Sequence, residues 1–226
     1  MREQFQIRRG TPQDVDELVQ LHFRVFDARS HYLLLLGRPF LFQAYCWYCS
    51  APTAFTFIVE AENKIVGCAT VSEDSYTAVF THNWLALLGA FCRRPSMIMH
   101  PIVVCRLREI FVSRRQKSLG KTPHTSGYLA YLAVDRSARL NGLGKLLIEA
   151  CISESSARNW TRLLTGAHSN NTVALSLYSR LGFVRAQGPN PRGLVKLYMQ
   201  VSPTGGRNTS LDPHSLNQIS THLSTP

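Results

Sequence analysis

The chain has 226 residues, of which 45% are hydrophobic and 17% are charged, and it carries a net charge of +11. This length and composition are ordinary for one compact globular domain and exclude collagen, coiled coil and wholesale disorder. The positive charge favours anionic partners such as nucleotides, nucleic acid or acidic lipid. Residues 75–121 hold eight basic side chains against one acid, so this segment contributes +7 of the total.

The cysteines and the N-terminal residues indicate the cell compartment. The six cysteines lie in apolar segments rather than in a short, loop-rich frame, which predicts reduced thiols in the core. They are Cys46, Cys49, Cys68, Cys92, Cys105 and Cys151. The N-terminal residues are polar where a secretory signal would be apolar, and no run reaches the roughly 18 apolar residues that a membrane helix needs. We therefore expect a cytoplasmic protein that does not span a membrane.

The first fifth of the chain predicts one strand and two helices. Residues 5–8 are a short strand candidate, and Thr11 with Pro12 offers an N-cap hydroxyl and a first-turn proline for a helix. His22 is the polar member of that helix's apolar stripe, and we expect it to pack in the core. A second apolar helix is predicted at 38–48.

The next segment predicts a hairpin and then a change of pattern. Apolar strands at 54–61 and 64–72 are joined by a tight turn at Glu62 and Asn63. From 75 to 126 the strand pattern stops, and apolar stretches alternate with basic residues. We predict a basic helical insertion there.

Beyond the insertion, strand and helix patterns alternate. The predicted strands are 128–134, 162–167 and 195–201, and the predicted helices are 142–158 and 171–181. The last residues, 202–226, are rich in Ser, Thr, Pro, Gly and Asn, so they cannot offset their ordering entropy and are expected to be disordered.

The junction between strand 128–134 and the following helix has the pattern of an anion site. Gly142 and Gly144 stand at the opening of the helix, where they let the backbone approach a ligand closely. The unpaired amides and the positive dipole of a first helical turn favour phosphate oxygens, and Arg139 and Lys145 add positive charge. A plain tight turn remains the alternative interpretation.

A second block follows at 171–183. Asn171 begins a helix, Tyr178 lies seven residues further on the same face, and Gly182 ends the helix. With this block the chain resembles the GNAT superfamily of acyl-CoA-dependent N-acyltransferases. The resemblance is close over 127–201 and looser over 1–74.

The resemblance implies an α/β fold with a mixed central sheet flanked by helices, and with the helical insertion placed before the acetyl-CoA-binding strand. It implies a GNAT-like N-acetyltransferase domain over 1–201 that contains the insertion at 75–126.

The resemblance also implies acetyl-CoA as the acyl donor and a primary amine as the acceptor. Strand backbone would bind the pantetheine arm, the glycine loop would hold the pyrophosphate, Asn171 would touch the cofactor arm, and Tyr178 would protonate the leaving thiolate as general acid. The implied cofactor-binding residues are Leu132, Ala133, Val134, Arg139, Leu140, Asn141, Gly142, Leu143, Gly144, Lys145, Asn171 and Tyr178.

The general base stays open at this point. Many relatives place a glutamate in the strand before the pyrophosphate loop, but the strand at 128–134 has no acid. Glu73, His168, Tyr128 or a water chain could take the proton of the amine. Without a base, the chain could instead be a non-catalytic acyl-CoA-binding module.

The position and the charge of the insertion indicate which acceptor the chain binds. Because it directly precedes the cofactor-binding strand, we expect it to shape the acceptor pocket and to favour an anionic amine such as a nucleotide-linked amino sugar. A protein or peptide amine is the alternative, and weak contact with a membrane surface is a further one. No nucleic-acid-binding motif is evident. Cys46 and Cys49 have no second pair, so we predict helix packing and no metal site.

Overall fold

The computed structural model describes residues 5–27, 31–73, 77–99, 103–104, 126–186 and 193–202. Its strands form one seven-stranded sheet in the order β1-β2-β3-β4-β5-β7-β6. They are β1 Gln6–Arg9, β2 Ala54–Ala61, β3 Lys64–Glu73, β4 Ser126–Val134, β5 Arg162–His168, β6 Val184–Arg185 and β7 Leu194–Gln200. β4 and β5 run parallel, and the other described neighbours run antiparallel.

Seven α-helices are described together with the sheet. They are α1 Val15–Val25, α2 Tyr32–Leu36, α3 Arg38–Ser50, α4 Ala78–His82, α5 Trp84–Arg93, α6 Leu143–Ala157 and α7 Thr172–Arg180. The predicted mixed sheet flanked by helices is confirmed. The sequence patterns missed α2 and the two-residue strand β6. No helix among the described residues is both long enough and apolar enough to cross a membrane.

The segment predicted as a helical insertion is described in part. It contains α4, α5 and a 3-10 turn at Pro95–Met99, which agrees with the helical prediction. Its residues 75–76, 100–102 and 105–125 lie outside the described residues, and so do 203–226, where disorder was expected.

The sheet separates two apolar layers. One layer includes Val71 and Leu129 of the sheet and packs against α6 and α7. The other includes Ile58 and Tyr131 of the sheet and packs against α1, α3 and α5. Side chains of one strand therefore reach opposite layers, and this decides which groups can lie close to one another.

His22 lies in the second layer, as predicted, and its side chain is fully buried. Its Nδ1 atom is 2.9 Å from the Tyr45 hydroxyl, and its Nε2 atom is 3.2 Å from His31 Nδ1. Burial, with a contribution from His31, lowers the pKa of His22 well below 6.5. Since the unfolded chain takes up this proton near pH 6.5 and the folded chain does not, His22 reduces stability as the pH falls below that value.

The cysteine prediction is correct for most of the described thiols and wrong for one. The described cysteines are free; Cys68 and Cys151 are buried, and Cys46 and Cys49 are half-buried on α3. Cys92 is exposed, because it lies on a face of α5 that points away from the core. Cys105 lies outside the described residues.

The register of β4 is the feature that shapes the site. Thr70 pairs with Tyr131 and the next residue of β3 pairs with Leu129, so Ala130 is an extra residue that forms a β-bulge in β4. The parallel ladder to β5 covers three pairs and ends at Tyr128. β4 bends at the bulge, and the two strands separate from there. We call the opening between residues 129–134 of β4 and 165–168 of β5 the β4–β5 wedge.

Candidate active site

The edge of β4 that faces the wedge presents the backbone groups of Leu132 and Val134. Asp135 donates its backbone N–H to the Val66 carbonyl oxygen on the β3 side, at 2.7 Å. Since backbone groups alternate between the two edges of a strand, those of Leu132 and Val134 point the other way, into the wedge. Ala133 is buried and pairs with Cys68 of β3. The structure thus places the predicted pantetheine-binding strand at an open sheet edge.

The closed end of the wedge is bridged by one side chain. Thr165 Oγ1 donates to the Leu129 carbonyl oxygen at 3.2 Å, directly after the last paired residues of the two strands. This bond holds β4 and β5 together where their backbone ladder stops.

The loop after β4 is fixed at both of its ends. Asp135 accepts from the Ser137 backbone at 3.2 Å and pairs with Arg24 Nε of α1 at 3.0 Å. Burial acts to raise the pKa of Asp135, but these hydrogen bonds outweigh it and lower that pKa. Further along, Arg139 Nε donates to the Val134 carbonyl oxygen at 3.3 Å. The loop is therefore anchored before any ligand arrives.

Two residues of this loop adopt left-handed backbone conformations. Leu140 has φ +70° and a fully exposed side chain, and Gly142 has φ +72°. A leucine in this region costs of order 1 kcal/mol, and such strain tends to occur at functional sites. A Cβ atom on Gly142 would meet nothing within 4 Å, so the space beside this residue is open.

The first turn of α6 completes the predicted pyrophosphate site. The first intrahelical bond runs from the Leu146 N–H to the Gly142 carbonyl oxygen, so the amides of Leu143, Gly144 and Lys145 precede it and face the N-terminus. Asn141 is exposed beside them. The side chain of Leu143 is buried, which leaves this residue its backbone amide as a binding group.

Gly144 lacks a side chain for helix packing, and not for the close approach of a ligand that the sequence suggested. A Cβ atom at this position would lie 3.2 Å from Leu177 Cδ2, so the missing side chain lets α6 and α7 pack closely. Lys145 Nζ lies 3.8 Å from Glu149, an exposed pair that leaves the lysine available to an anion.

Tyr178 lies on α7 in the layer that contains α6, and its side chain is buried. Its ring packs against Phe183 with 5.4 Å between ring centroids. Burial raises the pKa of Tyr178, and a hydrogen bond with Thr165 offsets part of that rise. Because Thr165 also bridges the wedge, the Tyr178 hydroxyl is positioned at its closed end and is protonated at neutral pH.

Asn171 is the N-cap of α7. Its Oδ1 atom accepts from the Ala174 backbone at 3.2 Å, which stabilises the helix that carries Tyr178. The amide nitrogen is the group that Asn171 can offer to a cofactor arm.

Three candidate bases occupy different positions around the wedge. Tyr128 is the last residue of β4 that pairs with β5, and it faces the layer opposite Tyr178. The Tyr128 hydroxyl lies 3.3 Å from the position that a Cβ atom on Gly166 would occupy. His168 shares this face of β5, whereas Glu73 shares the face of Val71 on the other side of the sheet.

Sequence reasoning missed the part that Gly166 plays. A glycine inside a strand often marks the close approach of another group, and here that group is a tyrosine hydroxyl at the point where β4 and β5 separate. This pattern was available in the sequence, but the partner on β4 was not.

The described residues fit an acyl-CoA molecule. Among the described residues, an open sheet edge, the N-terminus of a helix and a buried phenol belong to β4, α6 and α7, which pack together, and these are the groups that a pantetheine chain with a pyrophosphate at one end requires. Within the described ranges, no three His, Cys, Asp or Glu side chains are grouped in a way that could hold a metal ion.

Sequence comparison places the chain among known proteins. Residues 24–183 match the acetyltransferase (GNAT) family. N-alpha-acetyltransferase 30 of Homo sapiens is 32% identical over 111 residues, which are 47% of this chain and 26% of that protein. The protein of the same name from Xenopus laevis is 31% identical over 111 residues, with 47% and 34% covered. The chain thus spans about a quarter to a third of the length of these relatives.

Solved structures share the fold at low sequence identity. The ribosomal-protein-S18-alanine N-acetyltransferase of Escherichia coli superposes with a TM-score of 0.51 and 15% identity over 92% of this chain and 99% of the other. NAA60 of Arabidopsis thaliana, in complex with a bisubstrate analogue, gives 0.53 and 14% over 88% and 99%. The family match leads to one conclusion, with which the shared fold agrees: the chain belongs to the acetyltransferase (GNAT) family.

Proposed function

We propose that this enzyme transfers the acetyl group of acetyl-CoA to the α-amino group of a protein or peptide. The observation that carries the donor site is the β4–β5 wedge, with Tyr178 at its closed end. Support for the acceptor class comes from the similarity over 111 residues to N-alpha-acetyltransferase 30.

Each part of the wedge has a role in binding the acetyl donor. Acetyl-CoA supplies an activated acetyl thioester. The backbone groups of Leu132 and Val134 align its pantetheine arm as an added strand would be aligned, and the amides at the start of α6 bind the pyrophosphate. Arg139 and Lys145 add charge at the same end.

The transfer needs one group that donates a proton to the leaving sulfur and one group that accepts the proton of the amine. The neutral amine nitrogen attacks the thioester carbon; a C–N bond forms and the C–S bond breaks. Tyr178 gives its proton to the departing sulfur, because its hydroxyl lies at the closed end of the wedge and is protonated, and the resulting phenolate regains a proton from water. The nitrogen loses its proton on the opposite face of the sheet.

Tyr128 is the proposed group on that face. Its hydroxyl stands over Gly166 where the strands separate, so it can accept a hydrogen bond from the incoming amine and pass the proton to water. His168 lies two residues further along the same face of β5 and is exposed, which suits a second relay position. Glu73 faces the other layer, and we give it no part in the transfer.

The test measures release of CoA from acetyl-CoA with two acceptor sets. One set contains peptides that differ in their first residue, and the other contains amino sugars, nucleotide-linked amino sugars and polyamines. Release with peptides that is lost when their α-amine is blocked is the expected result. Turnover with the small amines alone refutes the protein acceptor and keeps the donor site.

The charge of the insertion supports a second candidate, an anionic small amine. Residues 75–121 carry eight basic side chains and one acid directly before the cofactor-binding strand. For this candidate, replacing Arg93, Arg94, Arg106 and Arg108 by alanine raises the KM of the acceptor and leaves acetyl-CoA affinity unchanged. Equal loss of both contradicts it.

A further inference from the structure

Helix α5 is apolar on two opposite faces. Its inner face packs on the layer of α1 and α3 through Ala90, which is buried, and through Leu87 and Phe91, which are partly buried. From Trp84 to Cys92 the helix has no charged residue. A helix at the surface of a globular protein ordinarily has a polar outer face, and α5 does not.

The outer face consists of Trp84, Leu85 and Leu88, which are 58%, 65% and 52% exposed. Cys92, one turn beyond Leu88, is exposed as well. Exposed apolar side chains are normal when they are scattered singly, whereas a contiguous group marks a binding surface. We call these four residues the outer face of α5.

Positive charge borders this face. Arg93 and Arg94 are exposed at the C-terminal end of α5, and the described segment 77–99 contains no Asp or Glu. In the sequence, six more basic residues follow up to Lys121, against one acid. Tryptophan, leucine and flanking arginine are the combination that binds a helix to the interface of an anionic membrane.

The size of the outer face argues against a protein partner. From the exposed fractions, its three large side chains present on the order of 350 Å², less than half of the roughly 800 Å² that each partner of a stable protein interface buries. A membrane surface needs no such area, because anionic lipid adds electrostatic attraction to a small apolar contact.

We propose that the outer face of α5 binds the surface of an anionic membrane, with Trp84 and Leu88 at the headgroup boundary and with Arg93 and Arg94 against lipid phosphates. This places the enzyme on a lipid surface without a spanning helix. The proposal is independent of the acceptor that the active site takes.

The test is sedimentation of the full chain with two kinds of vesicle, phosphatidylcholine alone and phosphatidylcholine with phosphatidylglycerol. Binding to the anionic vesicles at low salt, and its loss at high salt, is the expected result. Replacing Trp84 and Leu88 by glutamine lowers the binding by about tenfold or more. Phe23→Gln is the matched control, because Phe23 is 45% exposed on α1, and it leaves binding unchanged.

Tryptophan fluorescence locates the contact. Trp84 emission, taken as the difference from Trp84→Phe, shifts to shorter wavelength on anionic vesicles. Each variant is first shown to bind acetyl-CoA by calorimetry, so that a misfolded chain is not counted. The proposal is overturned if the native chain ignores anionic vesicles at low salt, or if the Trp84→Gln, Leu88→Gln chain binds them as the native chain does. It is also overturned if the native chain dimerises without lipid through this face.

Discussion

Replacing Tyr178 by phenylalanine removes one hydroxyl and leaves the packing of the ring in place. The ring keeps its contact with Phe183, and Thr165 keeps its bond to the Leu129 carbonyl oxygen. The lost hydrogen bond lowers the free energy of unfolding by about 1 kcal/mol. If Tyr178 protonates the leaving sulfur, kcat falls by about 10² to 10⁴, which corresponds to about 3 to 5 kcal/mol of activation free energy.

The assay is CoA release at saturating acetyl-CoA, with acetyl-CoA affinity measured by calorimetry and stability measured by urea unfolding. We expect a large fall in kcat, an unchanged affinity and a small loss of stability. Tyr45→Phe is the matched control, since the Tyr45 hydroxyl is also buried and bonded, but it lies in the other layer and contacts His22. This control loses similar stability and keeps its turnover.

The pH profile gives an independent check. Burial raises the pKa of Tyr178, so its protonated form, which donates the proton, persists near pH 10, where free tyrosine begins to ionise. The assignment of Tyr178 as the acid is refuted if the Tyr178→Phe chain keeps its turnover within twofold of the native value. It is also refuted if the turnover of the Tyr45→Phe chain falls equally.

Three further predictions concern the loop, the core and acid stability. Gly142→Ala lowers the free energy of unfolding by about 1 kcal/mol, because residue 142 has a left-handed backbone conformation. The same substitution weakens acetyl-CoA binding about tenfold in calorimetry, since its Cβ enters the open space in which we expect the phosphate. Gly127→Ala lowers the free energy of unfolding by about 3 kcal/mol in urea, because its Cβ would lie 2.4 Å from the Trp160 ring. Gly10→Ala is the control: the nearest atom to its Cβ would be 3.4 Å away, so the free energy of unfolding changes little. Between pH 7 and pH 5 the native chain loses stability through His22, whose pKa burial lowers, and His22→Gln makes that loss smaller in urea unfolding; an unchanged slope would contradict the assignment.

Local patterns sufficed for the elements that border the wedge. The hairpin turn is an example: Glu62 and Asn63 both have positive φ, 49° and 59°, as a tight two-residue turn requires. The strand predicted at 128–134 is β4, and the helix predicted at 142–158 is α6, with boundaries one or two residues apart. The strand is a continuous apolar run of strand length, and the helix is amphipathic and opens with glycines, so local pattern was enough to predict both.

The missed elements have weak local patterns. α2 is a five-residue apolar run, Tyr32–Leu36, too short to show a helical period. β6 has two residues, Val184 and Arg185, and exists because it pairs with Tyr198 and Leu197 of β7. Both depend on neighbours that are distant in sequence.

The site was predictable in its parts but not in its geometry. The glycine loop and Tyr178 follow from the sequence block, and their roles remain predictions. The bulge at Ala130 depends on the register between β3 and β4, which no local pattern reveals. The same holds for Gly144, where the deciding contact is Leu177 on another helix.

The contact between Tyr128 and Gly166 makes the two positions change together. A side chain at 166 and a tyrosine at 128 compete for the same volume, since the distance from a Cβ atom to the hydroxyl would be 3.3 Å. Enlarging residue 166 alone therefore displaces the tyrosine, while enlarging it together with Tyr128→Phe restores the fit. In a double-mutant cycle the two substitutions are non-additive. Variation at these two positions, where β4 and β5 separate, is thus expected to occur in pairs, so the proposed relay group at position 128 is not exchanged independently of residue 166.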